Sequence, residues 1–269
     1  MRAFRVLLPV ADEDAATAAL WERGTFGLEV RPAARGLELL AYFPDSVELT
    51  TIREALPLAE VEPIPVPEVD WVERFREGFR PFQAGRFLIA PAWETRAASP
   101  DLLLVDPGRA FGTGTHETTR LCLAALEELA VRRRLGRTLD LGAGTGLLAI
   151  AASRLGASAV VASDVEAEAA ASAAHHATLN AAPLHVVRAD GGRGFRPGSF
   201  DLVLANLMAL LLVDRAAEIR GLLAPGAALV LSGLLIEDVA FVREAFASCG
   251  APQERRLGEW AALVYQETP

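Results

Sequence analysis

The chain of 269 residues predicts an α/β protein: a doubly wound, mostly parallel sheet that ends in an antiparallel hairpin, preceded by a small α+β domain of ferredoxin-like type. Three observations carry this. From Arg137 onward, short apolar runs with strand character alternate with helical runs, the pattern of a parallel sheet with helices on both faces. At the far end, "PQERRLGEWAALVYQ" holds two strand-like runs separated only around Gly258 and Glu259, too little chain for a crossover helix, so that pair must be antiparallel. Near the start, a self-contained set of strands and helices is followed by the proline-punctuated "VEPIPVPEVDW". The expected division is residues 1–60 for the small domain, 61–80 for a linker and 81–269 for the large domain.

In the small domain, Phe4 to Val10 reads as a strand and Asp12 to Arg23 as a helix. "FGLEVRP" and "LELLAYF" read as two strands around a polar turn, and "SVELTTIREAL" as a helix with Ser46 as its N-cap. After the linker, "RFLIAPAWE" and "LLLVDPG" are strand-like and lead into the loop "AFGTGTHETTR". The helix that follows ends at Arg132 to Arg134 before Gly136, where cations suit the dipole and glycine suits the cap. Then come "TLDL", "LLAIAASRLG", "AVVASD", a helix from Glu166 to Asn180, "LHVVRAD", "FDLVLAN", a helix around 211–223 and "ALVLSG".

Composition narrows the chemistry. A 52% hydrophobic and 23% charged chain is ordinary for a globular protein with one large core and one small. A net charge of -9 argues against a surface built to neutralise phosphates. All 26 basic residues are arginine, which removes the P-loop lysine, the Schiff-base lysine and the Tyr/Lys pair of many hydride-transfer enzymes. Cys122 and Cys249 have no partners at metal spacing and read as buried apolar residues, so no metal site is expected. "FDLVLANLMALLLV" is too short to span a bilayer and the start lacks a signal-peptide core, so a cytoplasmic location is expected.

Two glycine-rich turns raise the question of a ligand. In "LDLGAGTGLLAIAA", Gly142, Gly144 and Gly146 lie between a strand and a helix, where absent side chains let a ligand approach the backbone near a helix N-terminus. About twenty residues later the next strand delivers Asp164, whose carboxylate can accept both hydroxyls of a ribose. Leu147 stands where the dinucleotide fingerprint has its third glycine. That shorter spacing and the terminal hairpin favour S-adenosylmethionine over a nicotinamide dinucleotide. Asn206, ending "FDLVLAN", would face the same crevice and could orient an amine by accepting its N–H; a turn-forming asparagine is the bland alternative.

"DPGRAFGTGTHETTR", "LDLGAGTG", "LANLMA", "LSGLL" and "GEW" together resemble the PrmA family, methyltransferases of large-subunit ribosomal protein L-eleven. Glu117 stands where many relatives carry proline, and Arg109 where many carry an aliphatic residue. The resemblance implies a class I S-adenosylmethionine methyltransferase with a substrate-recognising N-terminal domain, working as a monomer on ribosomal protein L-eleven, free or on the ribosome. It implies lysine and N-terminal amines as acceptors, with no membrane and no direct nucleic-acid substrate. In its terms the loop from Phe111 to Thr119 would cover the cofactor, Thr118 or Thr119 would contact its methionine part, Gly142 and Gly144 would pass close to that part, and Asp164 would hold the ribose. Asn206 would sit beside the transferring methyl as the catalytic residue.

His116 reads better as a loop-fixing residue than as a general base, and His175 and His176 read as surface residues. Competing readings are a methyltransferase for another amine, of a small molecule or a nucleic acid, and a nicotinamide oxidoreductase. A ribosome-binding module that keeps a cofactor only for stability is a third.

Overall fold

The computed structural model describes residues 2–33, 36–65, 79–94, 99–106 and 114–266. The chain divides into two compact units, Met1–Trp71 and Val72–Pro269.

In the first unit, strands β1 (Arg2–Leu8), β2 (Gly27–Ala33), β3 (Gly36–Phe43) and β4 (Glu60–Ile64) form a sheet in the order β2-β3-β1-β4, antiparallel throughout. Helices α1 (Glu13–Glu22) and α2 (Leu49–Ala55) make the β1-to-β2 and β3-to-β4 connections, which gives the ferredoxin-like arrangement. Alternation along β1 explains the layering. Phe4, Val6 and Leu8 are buried with Leu20 and Ile52 from the helices, while Arg5 bonds Glu38 and Glu62 on the neighbouring strands, both at 2.6 Å. Two local expectations fail. Residues 61–64, expected in the linker, pair with β1 as part of β4. Glu48, in extended conformation, holds the N-cap position of α2 that Ser46 was expected to fill.

The second unit begins its described part with a three-stranded sheet of β5 (Phe82–Ala84), β6 (Phe87–Pro91) and β7 (Leu102–Val105). Its main sheet uses β8 (Arg137–Leu141), β9 (Ala159–Asp164), β10 (His185–Arg188), β11 (Phe200–Asn206), β12 (Leu223–Leu235), β13 (Gln253–Leu257) and β14 (Trp260–Tyr265). Their order is β10-β9-β8-β11-β12-β14-β13; the first five are parallel, and β14 runs antiparallel to both β12 and β13. The terminal hairpin is therefore as expected. The strand order reverses between β8 and β11, and ligands of such sheets bind outside the carboxyl ends of the strands at that point.

Helices α3 (Glu117–Arg132), α4 (Leu147–Arg154) and α5 (Ala167–Leu179) precede or connect β8 to β10; α6 (Ala209–Asp214), α7 (Ala216–Leu222) and α8 (Val239–Ala245) follow β11 and β12. The period of two along β11 divides the core. Leu202 and Leu204 pack with Leu123, Leu126 and Ile150 from α3 and α4, whereas Val203 and Ala205 pack with Leu212, Ile219 and Val242 from α6 to α8. The helix expected around 211–223 is two helices joined at Arg215. At the end of α3, Arg133 occupies the C-cap in extended conformation and its guanidinium binds the carbonyls of Gly226 and Gln266 at 2.7 and 2.8 Å. Gly136 is thus no helix cap. Among the described residues no helix is long and apolar enough to cross a membrane.

Candidate active site

Four parallel strands end around one cavity of about 460 Å³ in the second unit, and the loop segments that follow them line it. After β8 the chain turns through Gly142, Gly144 and Gly146, with φ of 71°, 55° and 74°, values that side chains rarely adopt. The N–H groups of Gly142 and Ala143 donate to the Ser163 carbonyl at 2.8 and 3.0 Å, and that of Gly144 donates to Asp164 Oδ2 at 2.9 Å. The turn is held by the end of β9, and it supports the Asp164 carboxylate in return. Asp164 Oδ1 accepts from the Glu166 N–H at 3.1 Å, which leaves each oxygen a lone pair for a further donor.

Thr119, Gly142, Gly144, Asp164 and Asn206 all line the cavity. Thr118 does not. Its hydroxyl lies 2.9 Å from His116 Nδ1, and its N–H donates to the same nitrogen at 3.3 Å, so His116 caps α3 through its ring. The ring also meets Trp260 edge-on, with centroids 4.7 Å apart. Phe111 and Arg109 lie outside the described residues.

Several contributors escaped the sequence reading. Asp140 is buried on the cavity wall, accepts the Ala149 N–H at 3.0 Å through Oδ2, and has its pKa pushed up to about 7 by burial, with the nearby Asp164 charge adding to the rise. Ser232 ties three segments together: its hydroxyl is 3.3 Å from the Thr118 carbonyl and 3.1 Å from that of Ala261, and its own carbonyl accepts the Leu207 N–H at 3.0 Å. It lies in the "LSGLL" run, which the resemblance included without giving it a task. Asp190, just past β10, and Arg215 complete one wall; an acidic residue at the end of a third parallel strand was the available signal.

His176 is a correction: it is buried, not on the surface. Its Nδ1 bonds the Ser172 carbonyl at 2.8 Å and its Nε2 accepts the Asp106 N–H at 3.0 Å, which fixes the ring with its proton on Nδ1. Burial holds its pKa below the usual imidazole value. His175 is exposed and lies 3.1 Å from the Asp106 carboxylate.

The Thr119 and Ser163 hydroxyls are buried without partners among the described residues, and both residues line the cavity. Buried hydroxyls of this kind normally find a hydrogen bond. A glycine turn open to backbone approach, a carboxylate with spare lone pairs and two unpaired hydroxyls suit a nucleoside with a polar tail. Among the described residues no cluster of three or more His, Cys, Asp or Glu side chains is placed to hold a metal ion.

The sequence pattern described as ribosomal protein L11 methyltransferase (PrmA) matches residues 9–268. The chain belongs to that family. It is therefore a methyltransferase, and its family and fold imply use of S-adenosylmethionine. A relative named ribosomal protein L11 methyltransferase from Geobacter metallireducens is 39% identical over 264 residues, covering 91% of this chain and 87% of that protein. One of the same name from Geobacter sulfurreducens is 44% identical, covering 76% and 70%. The solved structure of a ribosomal protein L11 methylase from Lactobacillus delbrueckii subsp. bulgaricus has a TM-score of 0.63 and 28% identity, covering 71% of this chain and all of that one. The mainly parallel sheet with its closing hairpin is accordingly the class I methyltransferase fold.

Proposed function

We propose that this member of the family transfers methyl groups from S-adenosylmethionine to lysine and N-terminal amines of ribosomal protein L-eleven. The observation that carries the reading is the placement of Asp164 and Asn206 on either side of the Gly142 turn in a single cavity, at the ends of β9 and β11. When bound, S-adenosylmethionine supplies a methyl on a sulfonium that is already a leaving group. The remaining tasks fall to the chain. The Asp164 carboxylate would accept the ribose hydroxyls, the Gly142–Gly144 backbone and the Thr119 hydroxyl would face the methionine part, and Asn206 would hold the acceptor N–H so that the lone pair points at the methyl.

The acceptor must also be neutral. A lysine with a pKa near 10.4 needs about 4.6 kcal/mol to be neutral at pH 7, and an α-amine near 7.8 needs about 1 kcal/mol. Leu207 and Leu211 on the cavity wall, with Met208 beside them, supply an apolar approach that lowers an amine pKa by desolvation. The N-terminal unit, which carries none of the cavity residues, is assigned to recognising the ribosomal protein, and the protein is expected to act as a monomer. Incubating the full chain with labelled S-adenosylmethionine and unmodified ribosomal protein L-eleven tests the reading. Label on lysine and N-terminal amines supports it; label only on free nucleotides or small amines, or none, rejects it.

A further inference from the structure

The ends of the parallel strands form a row: Asn206 at the end of β11, Gly142 after β8, Asp164 at the end of β9, and Asp190 just beyond β10. If the methyl group belongs beside Asn206 and the ribose on Asp164, the purine is left to the Asp190 end. That end is held by side chains. Arg215, at the junction of α6 and α7, donates from Nη2 to Asp190 Oδ1 at 2.8 Å and from Nη1 to Glu218 Oε2 at 3.2 Å, and its Nε is 3.5 Å from Asp214. The other oxygen of Glu218 accepts the Gly192 N–H. Asp190 Oδ2 is met by Arg193 at 2.9 Å, but that arginine is 74% exposed, so water competes with it.

The turn is shaped to fit this pair. Gly191 has φ of 63°, and a Cβ there would lie 2.5 Å from Glu218 Oε1 and 3.1 Å from Arg215 Nη1; one on Gly192 would lie 2.9 Å from Leu222 Cδ1. Two successive glycines let the backbone lie directly against Arg215, Glu218 and Leu222. A solvent-exposed ion pair would need neither glycine. Arg215 and Asp190 both face the cavity.

We propose that Arg215, anchored by Glu218, is a positioning residue that aims the Asp190 carboxylate at the exocyclic amine of the cofactor's adenine, an assignment that rests on the S-adenosylmethionine reading of the cavity. Arg215 occupies one carboxylate oxygen and fixes the plane of the group, so the second oxygen is presented to an N–H donor. Adenine offers such a donor. Hypoxanthine places a carbonyl oxygen at the same position, so two acceptors would oppose each other, and a site built to receive a donor rejects the analogue that lacks it. Because α6 starts three residues after Asn206, the element that holds the base end also follows directly from the methyl end.

The test is calorimetric binding of S-adenosylhomocysteine and S-inosylhomocysteine to the full chain, as wild type and as Arg215→Met, Arg215→Lys and Glu218→Gln. Wild type is expected to prefer the adenine ligand by at least about tenfold, the usual scale for a hydrogen bond to a charged group. Arg215→Met should reduce that preference to about threefold or less, mainly by weaker binding of the adenine ligand; Arg215→Lys should restore part of it, and Glu218→Gln should fall between. Equal weakening of both ligands with the preference intact would mean a merely structural arginine and would overturn the proposal, as would a wild type that binds both alike. If Arg215→Met does not fold, the lysine and glutamine variants carry the same comparison. Failure of wild type to bind S-adenosylhomocysteine at all would instead reject the cofactor reading on which the proposal stands.

Discussion

The two ends of the cavity are made of different materials. Around Gly142 and Asp164, the shape is set by main-chain groups: three successive residues of the turn donate backbone N–H groups to the end of β9 at 2.8 to 3.0 Å. Around Asp190, it is set by Arg215 and Glu218, side chains from a different element. A backbone-built wall has few adjustable parts and fails abruptly when a Cβ or a carboxylate is changed. A side-chain-built wall can be tuned by substitutions that leave the fold in place. The family's shared chemistry is thus assigned to the rigid end and its ligand discrimination to the adjustable one.

The largest break is expected where backbone meets backbone. Gly233, in β12, has φ of 83°, and a Cβ on it would lie 2.4 Å from the Leu207 carbonyl oxygen and 2.7 Å from its carbon. No side-chain rotation relieves that contact, so Gly233→Ala must displace the Asn206–Leu207 turn. Single-turnover methyl transfer should fall by at least about a hundredfold, with roughly 2 to 4 kcal/mol lost in chemical denaturation from strain and the forced shift. A variant with normal rate and stability would show that this approach does not matter.

Next in size is the carboxylate of the rigid end. Asp164→Ala removes the proposed ribose acceptor and also the acceptor for the Gly144 and Glu166 N–H groups. Calorimetry should show S-adenosylmethionine binding weakened by on the order of 1.5 to 3 kcal/mol. An affinity equal to wild type would take Asp164 out of the site.

A further effect, confined to a pH window, should appear in the pH dependence of stability. Asp140 is held near a pKa of about 7 by burial, well above the ordinary carboxylate value. Between those two values the folded state keeps a proton that the unfolded state has released. Stability must then fall as pH rises from roughly 4 to 7, by at most about 4 kcal/mol over the window. Asp140→Asn keeps an oxygen for the Ala149 N–H and removes the titration. Its stability should be flatter with pH than that of wild type and higher at pH 8; parallel curves for the two proteins would contradict the assignment.

What the sequence revealed follows from how local each signal is. The glycine turn and Asp164 were legible because strand, turn, helix and next strand lie in consecutive chain, and the hairpin because its connection is too short for anything else. Arg215 was not legible, since its meaning comes from Asp190 twenty-five positions earlier and the leucine-rich run around it reads as one continuous helix. Ser232 owes its importance to Thr118, more than a hundred residues away, a distance no periodicity reports. His176 was misjudged because its helix is rich in alanine and so gives little contrast between faces; the Asp106 N–H that buries it belongs to the segment after β7. The distinction between Thr118 and Thr119 turned on the His116 cap, which settles which hydroxyl faces inward.

The central claim is that Asn206 aligns the acceptor amine while the rest of the cavity holds the cofactor. The most direct test compares Asn206→Ala with wild type in two measurements: calorimetric affinity for S-adenosylmethionine, and the single-turnover rate of methyl transfer to unmodified ribosomal protein L-eleven. Alignment acts in the transition state, so the account predicts a rate lower by about a hundredfold or more with affinity changed by no more than about threefold. A rate equal to wild type, or a loss confined to cofactor affinity, would contradict it and leave Asn206 as a residue that only shapes the turn.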